Sequence, residues 1–215
     1  MQGDKSDLKP RKTPGQKRSA FTVDAILDAT ARILTEQGPN QLTTNAVAEL
    51  SGFSVGSVYQ YFSGKDALFA ELRRRHQREV IEVLNAAINS TKGQDLEDSL
   101  RSVVRANVEV HARNPRLHDL LTKQYSDRSF DISADEQRFD LVISDSSPIE
   151  QYLMNVAGIS PARVKIMARV CYEIVDSLTH AVVIDKKLDL SNDELVEEIT
   201  SAVLGYLDRT TAPHP

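Results

Sequence analysis

Two short helices hinged at a single glycine constrain this chain more than any other feature. The stretch 43–65, TTNAVAELSGFSVGSVYQYFSGK, opens with a hydroxyl residue, Thr43 or Thr44, able to cap a helix whose buried side carries Val47, Ala48 and Leu50. Ser51-Gly52 ends that helix at a residue tolerant of positive φ. Phe53 fills the corner, and Ser54 caps a second helix over 55–62. There Val58 and Phe62, four apart, face back toward Val47 and Ala48. Val55, Gly56, Tyr59 and Gln60 form the other face. Small residues at 54–57 keep the second helix slim at its N-terminus, the half that enters the DNA major groove in a helix-turn-helix. Ser63 and Asp66 have capping-box spacing, so a further helix starts at once. Its first turn carries Lys65, a cation beside free N–H groups, a combination suited to phosphate.

The string T-T-x-x-V-A-x-x-S-G-F-S-x-G-S-V-Y-x-Y-F-x-x-K-x-x-L, from Thr43 to Leu68, closely resembles the DNA-binding signature of the TetR family of bacterial transcriptional regulators. The match is ungapped. The resemblance implies an all-α protein: an N-terminal three-helix helix-turn-helix domain, then a C-terminal helical bundle for ligand binding and dimerisation, about nine helices in all.

The net charge of −5 suits a DNA binder poorly until the chain is divided. Residues 1–65 hold eight Lys/Arg against six Asp/Glu, net +2, which leaves −7 for the rest. The basic end is the one expected to meet a polyanion. No apolar run approaches the ~18 residues of a membrane span, and no apolar stretch follows the basic N-terminus as a secretory signal requires. The lone Cys171 excludes an internal disulfide framework and a cysteine zinc cluster. A cytoplasmic location is the expectation.

Residues 1–20 are polar, basic and interrupted by Pro10, Pro14 and Gly15, and read as a flexible arm. It is either a solubility tail or an arm whose Lys9, Arg11, Lys12, Lys17 and Arg18 touch DNA. Thr22 is the expected cap of the first helix, which carries Ile26, Ala29, Ile33 and Leu34 inward and ends at Gly38-Pro39. The DNA-binding domain therefore spans 21–65 and the sensing and dimerisation domain 66–211. Helix four, 65–92, bears a basic run, Arg73-Arg74-Arg75 with Arg78, that is either a solvated face or a DNA contact. Beyond it Asp95 caps a helix to 113, and Asn114-Pro115 restarts one to 125. Ser133 and Glu136 form a capping box for a helix carrying Phe139, and the chain restarts through Tyr152. Ser160-Pro161 opens a long helix over 161–185, and Ser191 with Glu194 opens the last, 192–209.

The last two helices carry wide apolar stripes: Val164, Met167, Val170, Cys171, Ile174, Val175, Leu178 and Val182 on one, Leu195, Ile199, Ala202, Val203 and Tyr206 on the other. They fill the core of one chain or pair with a second copy; family resemblance implies a homodimer through these helices. Two reading heads then require a near-palindromic double-stranded operator. Thr44, Ser57, Tyr59 and Lys65 supply donors for phosphate oxygens, next to the capping residues Thr43 and Ser54. Gln60 is the candidate for a base-edge hydrogen bond, Asn45 a second, and Val55 can touch a thymine methyl. Gly56 admits close approach, and Tyr61 either reaches phosphate or packs across its helix.

Resemblance further implies a small-molecule inducer bound in the C-terminal domain that lowers operator affinity, which makes the protein a repressor. Pointers to that pocket are polar or aromatic side chains at otherwise apolar positions: Asn107, His111, Tyr125, Phe139, Tyr152, Cys171 and Tyr172. His111 and His118 are seven apart, but Asn114-Pro115 interrupts between them, so no metal pair is expected there. No Gly-rich phosphate loop, metal-ligand cluster or nucleophile-base grouping stands out, which argues against an enzyme and against a cofactor or metal. Cys171, set in an apolar stripe, reads as inert.

Overall fold

A computed structural model describes residues 17–123, 150, 153–154 and 159–211. Among the described residues the chain is helical, with no strand. It divides into two compact units, Met1–Gln77 with Asp119–Tyr125, and Arg78–His118 with Ser126–Pro215.

In the first unit, α1 spans Lys17–Glu36. It starts at Lys17, more than a turn before the expected cap Thr22, and within that additional stretch Ser19 Oγ donates to the Tyr61 hydroxyl at 3.2 Å. Ile26, Leu27, Ala29, Ile33 and Leu34 are buried along it. Thr30 is fully buried with them and donates to the Ile26 carbonyl at 2.8 Å, so no polar hydrogen is stranded. Gly38, at φ 89°, accomplishes the chain reversal.

Helix α2 is Thr44–Ser51 and α3 is Val55–Tyr61. Thr43 Oγ1 accepts from the Ala46 N–H, and Gly52 closes α2 in the left-handed region at φ 75°. Ser54 Oγ accepts from the Ser57 N–H and caps α3. Each such cap is worth ~1 kcal/mol. Val47, Val58 and Phe62 are wholly buried, and Ala48 nearly so. Leu50 is not part of that core: it is 38% exposed. At 3.6 residues per turn it lies about 200° around the helix from Ala48, on the outer side.

Helix α4, Lys65–Ser90, gives its first half to this unit, where Leu68, Phe69 and Leu72 are buried. The basic run is partly engaged inside the unit: Arg74 pairs with Glu71 at 2.7 Å and Arg75 with Asp28 at 2.8 Å.

In the second unit α5 is Leu96–Arg113, capped by Asp95 accepting from the Asp98 N–H. Helix α6 is Pro115–Lys123, of which only the part up to His118 belongs to this unit, α7 is Pro161–Thr179 and α8 is Asn192–Thr211. Ser191 and Glu194 make the full reciprocal box that opens α8. Leu100, Val104 and Val108 of α5 pack with Val164, Met167 and Cys171 of α7 and Leu195, Ile199, Val203 and Leu207 of α8. Much of the apolar stripe on α7 and α8 is therefore used within one chain. Arg101 bridges α5 to α8 through Glu197 at 3.0 Å. Val80 and Leu84 of α4 form a smaller cluster with Val110, and Tyr172 packs against it.

The long helix expected over 161–185 is not uniform. α7 ends at Thr179, and His180–Ile184 form a π-helical turn, its wider ring closed by the Asp185 N–H donating to the His180 carbonyl at 2.8 Å. The expected helix after Ser133, with Phe139, lies outside the described residues.

Candidate nucleic-acid interface

The outward side of α2 and α3 is made by what those helices do not need internally. Val58 turns inward, so Gly56 and Gln60, four apart, lie on the opposite side, and Val55 and Tyr59, also four apart, are exposed along its flank. Val55 is 39% and Tyr59 44% exposed, and Gln60, Gly56, Ser54, Asn45 and Thr43 are exposed as well. Val55 and Tyr59 are thus two large side chains left in water on a seven-residue helix.

Polar geometry knits this face together. Thr44 Oγ1 donates to the Tyr59 hydroxyl at 3.2 Å. Tyr59 then has its own O–H proton to offer outward, as a phosphate contact requires. The Ser54 and Ser57 hydroxyls lie 2.8 Å apart while Ser54 Oγ also takes the Ser57 N–H. Lys65 is exposed on the first turn of α4, whose opening bond runs from the Leu68 N–H to the Gly64 carbonyl. Tyr61 is half-buried and accepts from Ser19 of α1, so its ring lies across the unit toward that helix.

Gly56 stands out. A Cβ there would meet only Ser54 Oγ at 3.8 Å, an ordinary contact. Nothing in the unit's own packing asks for glycine in this helix, where it costs up to ~1 kcal/mol relative to alanine.

Of the residues marked for a sensing pocket, Asn107, His111 and Cys171 are buried in the second unit. Asn107 Nδ2 donates to Thr179 Oγ1 at 3.0 Å, and His111 Nδ1 lies 2.7 Å from the Asn107 carbonyl. Burial pushes the Cys171 thiol up to about 12, so it stays protonated. Tyr172 is half-buried at its cluster, with Arg169 over its ring at 5.7 Å. Tyr125, Phe139 and Tyr152 lie outside the described residues.

The separation expected between His111 and His118 is not observed: their ring centroids are 4.4 Å apart. Asn114 is the one residue between α5 and α6, and its carbonyl accepts the His118 N–H at 3.0 Å. The interruption re-aims the chain without moving it away, and His118 returns over the last turn of α5. His180, from the π-helical turn, completes the group; sequence reading did not single it out, and 62 positions separate it from His118.

A sequence profile for bacterial regulatory proteins of the tetR family matches residues 26–72, and one for the tetracyclin repressor-like C-terminal domain matches 95–207. An uncharacterized HTH-type transcriptional regulator of Mycobacterium tuberculosis is 32% identical over 62 residues, 29% of this chain and 31% of that protein. The chain thus spans about a third of that curated relative's length. Among solved structures, a TetR-like regulator from Rhodococcus sp. RHA1 aligns with a TM-score of 0.63 at 18% identity, over 87% of this chain and 96% of that one. A TetR-family regulator from Haemophilus influenzae aligns at 0.64 and 18%, over 89% and 98%. Among the described residues no helix is long and apolar enough to cross a membrane. The two profile matches, the second covering more than half the sequence, fall on the exposed helix pair and on the helical bundle described above, and the chain belongs to the TetR family of bacterial regulatory proteins.

Proposed function

We propose that this protein is an operator-binding transcriptional repressor that acts as a homodimer and releases DNA when a small ligand occupies its C-terminal domain. The carrying observation is the slim, outward face of α3, with a glycine at position 56 that internal packing does not require. Such a residue makes sense where a second molecule must come close, as a DNA backbone or base edge does in the major groove. Tyr59, Ser57, Thr44 and Lys65 position that contact on phosphates, and Gln60, Asn45 and Val55 read bases. Thr43 and Ser54 hold the two helix starts in place. No step in this activity calls for enzymatic chemistry, and its setting is the cytoplasm, where the DNA is.

The dimer surface we assign to what α7 and α8 leave outside the core. Ile166 is 62% exposed, and Ala202 and Gly205, three apart on α8, are exposed with no neighbour near a Cβ at 205. An apolar side chain beside small residues fits a two-fold helix pairing. Ligand binding then acts through differential affinity for two spacings of the reading heads.

The test is selection of genomic DNA by the full-length protein, followed by salt titration of one retained fragment. The expected result is a near-palindrome whose binding weakens steeply as salt rises, because phosphate contacts release counterions. Recovery of no common fragment, or binding indifferent to salt, would overturn the reading.

A further inference from the structure

The geometry points to a divalent transition-metal site built from His111, His118 and His180, with Zn2+ the best match and one coordination position left for water or a small ligand. It stands independently of the operator-binding reading, since a chain that bound no DNA would still hold metal here.

The three rings converge. Their centroids are 4.4, 5.3 and 4.8 Å apart, and one nitrogen from each lies within 4.8 Å of the others. His118 Nε2 and His180 Nε2 are already 3.0 Å apart. A tetrahedral Zn2+ with Zn–N bonds of about 2.0–2.1 Å sets neighbouring ligand nitrogens about 3.3 Å apart. Modest ring rotations take the observed spacing to that value.

Proton placement on His111 agrees. Its Nδ1 faces the Asn107 carbonyl at 2.7 Å, and a carbonyl only accepts, so Nδ1 carries the hydrogen. In the neutral ring the lone pair is then on Nε2. A ligating histidine fixed by its other nitrogen on a backbone carbonyl is the usual outer support of a metal site.

Local backbone supports the third ligand. His180 begins the π-helical turn, and insertions of this kind gather at functional sites. It is the one ring with an approach from solvent, its side chain 27% exposed, whereas His111 and His118 are buried. The Asp176 carboxylate, one turn earlier, lies 3.9 Å from His180 Nε2 and adds negative charge where a cation would sit. Three imidazoles without thiolate select the borderline ions, Zn2+, Co2+, Ni2+ and Cu2+, over Mg2+ and Ca2+.

The experiment uses the full chain, stripped with a chelator and titrated with Co2+, then with Zn2+ in competition. One Co2+ per chain with the intense visible bands of four-coordinate geometry, displaced by Zn2+, is expected. His180→Ala, at the most exposed of the three rings, should weaken Zn2+ binding at least about 100-fold, beyond the 10–100-fold typical of losing an outer partner. His76→Ala, outside the cluster, should leave it unchanged. Circular dichroism checks that each variant folds, and a rise in the wild-type melting temperature with Zn2+ needs no variant at all. Equal affinity in wild type and His180→Ala, or a six-coordinate Co2+ spectrum, or no melting shift, would mean that the rings only hydrogen-bond to one another.

Discussion

Thr44 Oγ1 donates to the Tyr59 hydroxyl across 3.2 Å and ties the first helix of the motif to the exposed face of the second. The bond is solvent-facing, so its worth to folding is at the low end of the usual ~0.5–1.5 kcal/mol. Tyr59→Phe should therefore melt close to wild type. In a dimer the lost phosphate donor is lost twice, and operator affinity should fall roughly 10–30-fold. Fluorescence anisotropy on a selected operator, beside a thermal melt, separates the two effects. A variant that melts early and binds normally would make Tyr59 a structural residue.

Gly56 separates folding from recognition in the opposite direction. Gly56→Ala removes a helix-weakening residue without a clash, the nearest atom to its Cβ being 3.8 Å away. Stability should rise by up to about 1 kcal/mol. Operator binding should weaken by about 1–3 kcal/mol if DNA fills the space over that backbone. A variant stabler than wild type and equal to it in DNA binding would leave that space unoccupied in the complex.

How far the sequence was legible follows the range of each interaction. Thr43, Ser54, Asp95, Ser160 and Ser191 could all be read as helix caps, because a cap is settled between a side chain and an N–H three residues on. Gly52 was legible for the same reason. The start of α1 was not, and the bond that Ser19 makes there goes to Tyr61, 42 positions away. Burial of Val58 and Phe62 followed from spacing, but an eight-residue helix gave Leu50 too little periodicity to place it. The stripes on α7 and α8 were legible as apolar and not as to partner, because core and interface use the same residues. The meeting of His111, His118 and His180 depends on the direction taken after the break at Asn114-Pro115, which the local sequence marks without setting its angle, and on a π-helical turn with no local signature here.

Cys171 is wholly buried, and desolvation raises its thiol to about 12. At neutral pH the thiolate, the reactive form, is scarce and shielded. A disulfide-exchange reagent should label it only at the rate of unfolding, with prompt labelling in denaturant. Prompt labelling of the native protein would place the thiol at a solvent-reachable surface.

The box at the start of α8 carries a pH signature. Glu194 accepts from the Ser191 N–H at 2.9 Å and its hydroxyl at 2.7 Å, and these bonds hold its carboxyl below the ordinary value. A depressed folded value means the contribution is present at neutral pH and is lost as pH falls through that value. Ser191→Ala should lower the melting temperature at neutral pH, and the gap from wild type should narrow in acid. A gap that widened in acid would reverse the sign and remove the box as its source.

Asn107 and Thr179 share a buried hydrogen bond of 3.0 Å between α5 and α7, beside the histidine group. Both side chains are out of water, so neither can recover its partner from solvent. Thr179→Val should leave the Asn107 amide hydrogen unsatisfied and cost about 1–3 kcal/mol. Asn107→Leu alone strands the threonine hydroxyl less severely, because that hydroxyl can turn to a backbone carbonyl of its own helix. The double variant should then be more stable than the sum of the two losses predicts, with a coupling of about 0.5–3 kcal/mol measured by denaturant unfolding. Additive losses would mean that the two side chains act separately and that the α5–α7 contact rests on its apolar neighbours alone.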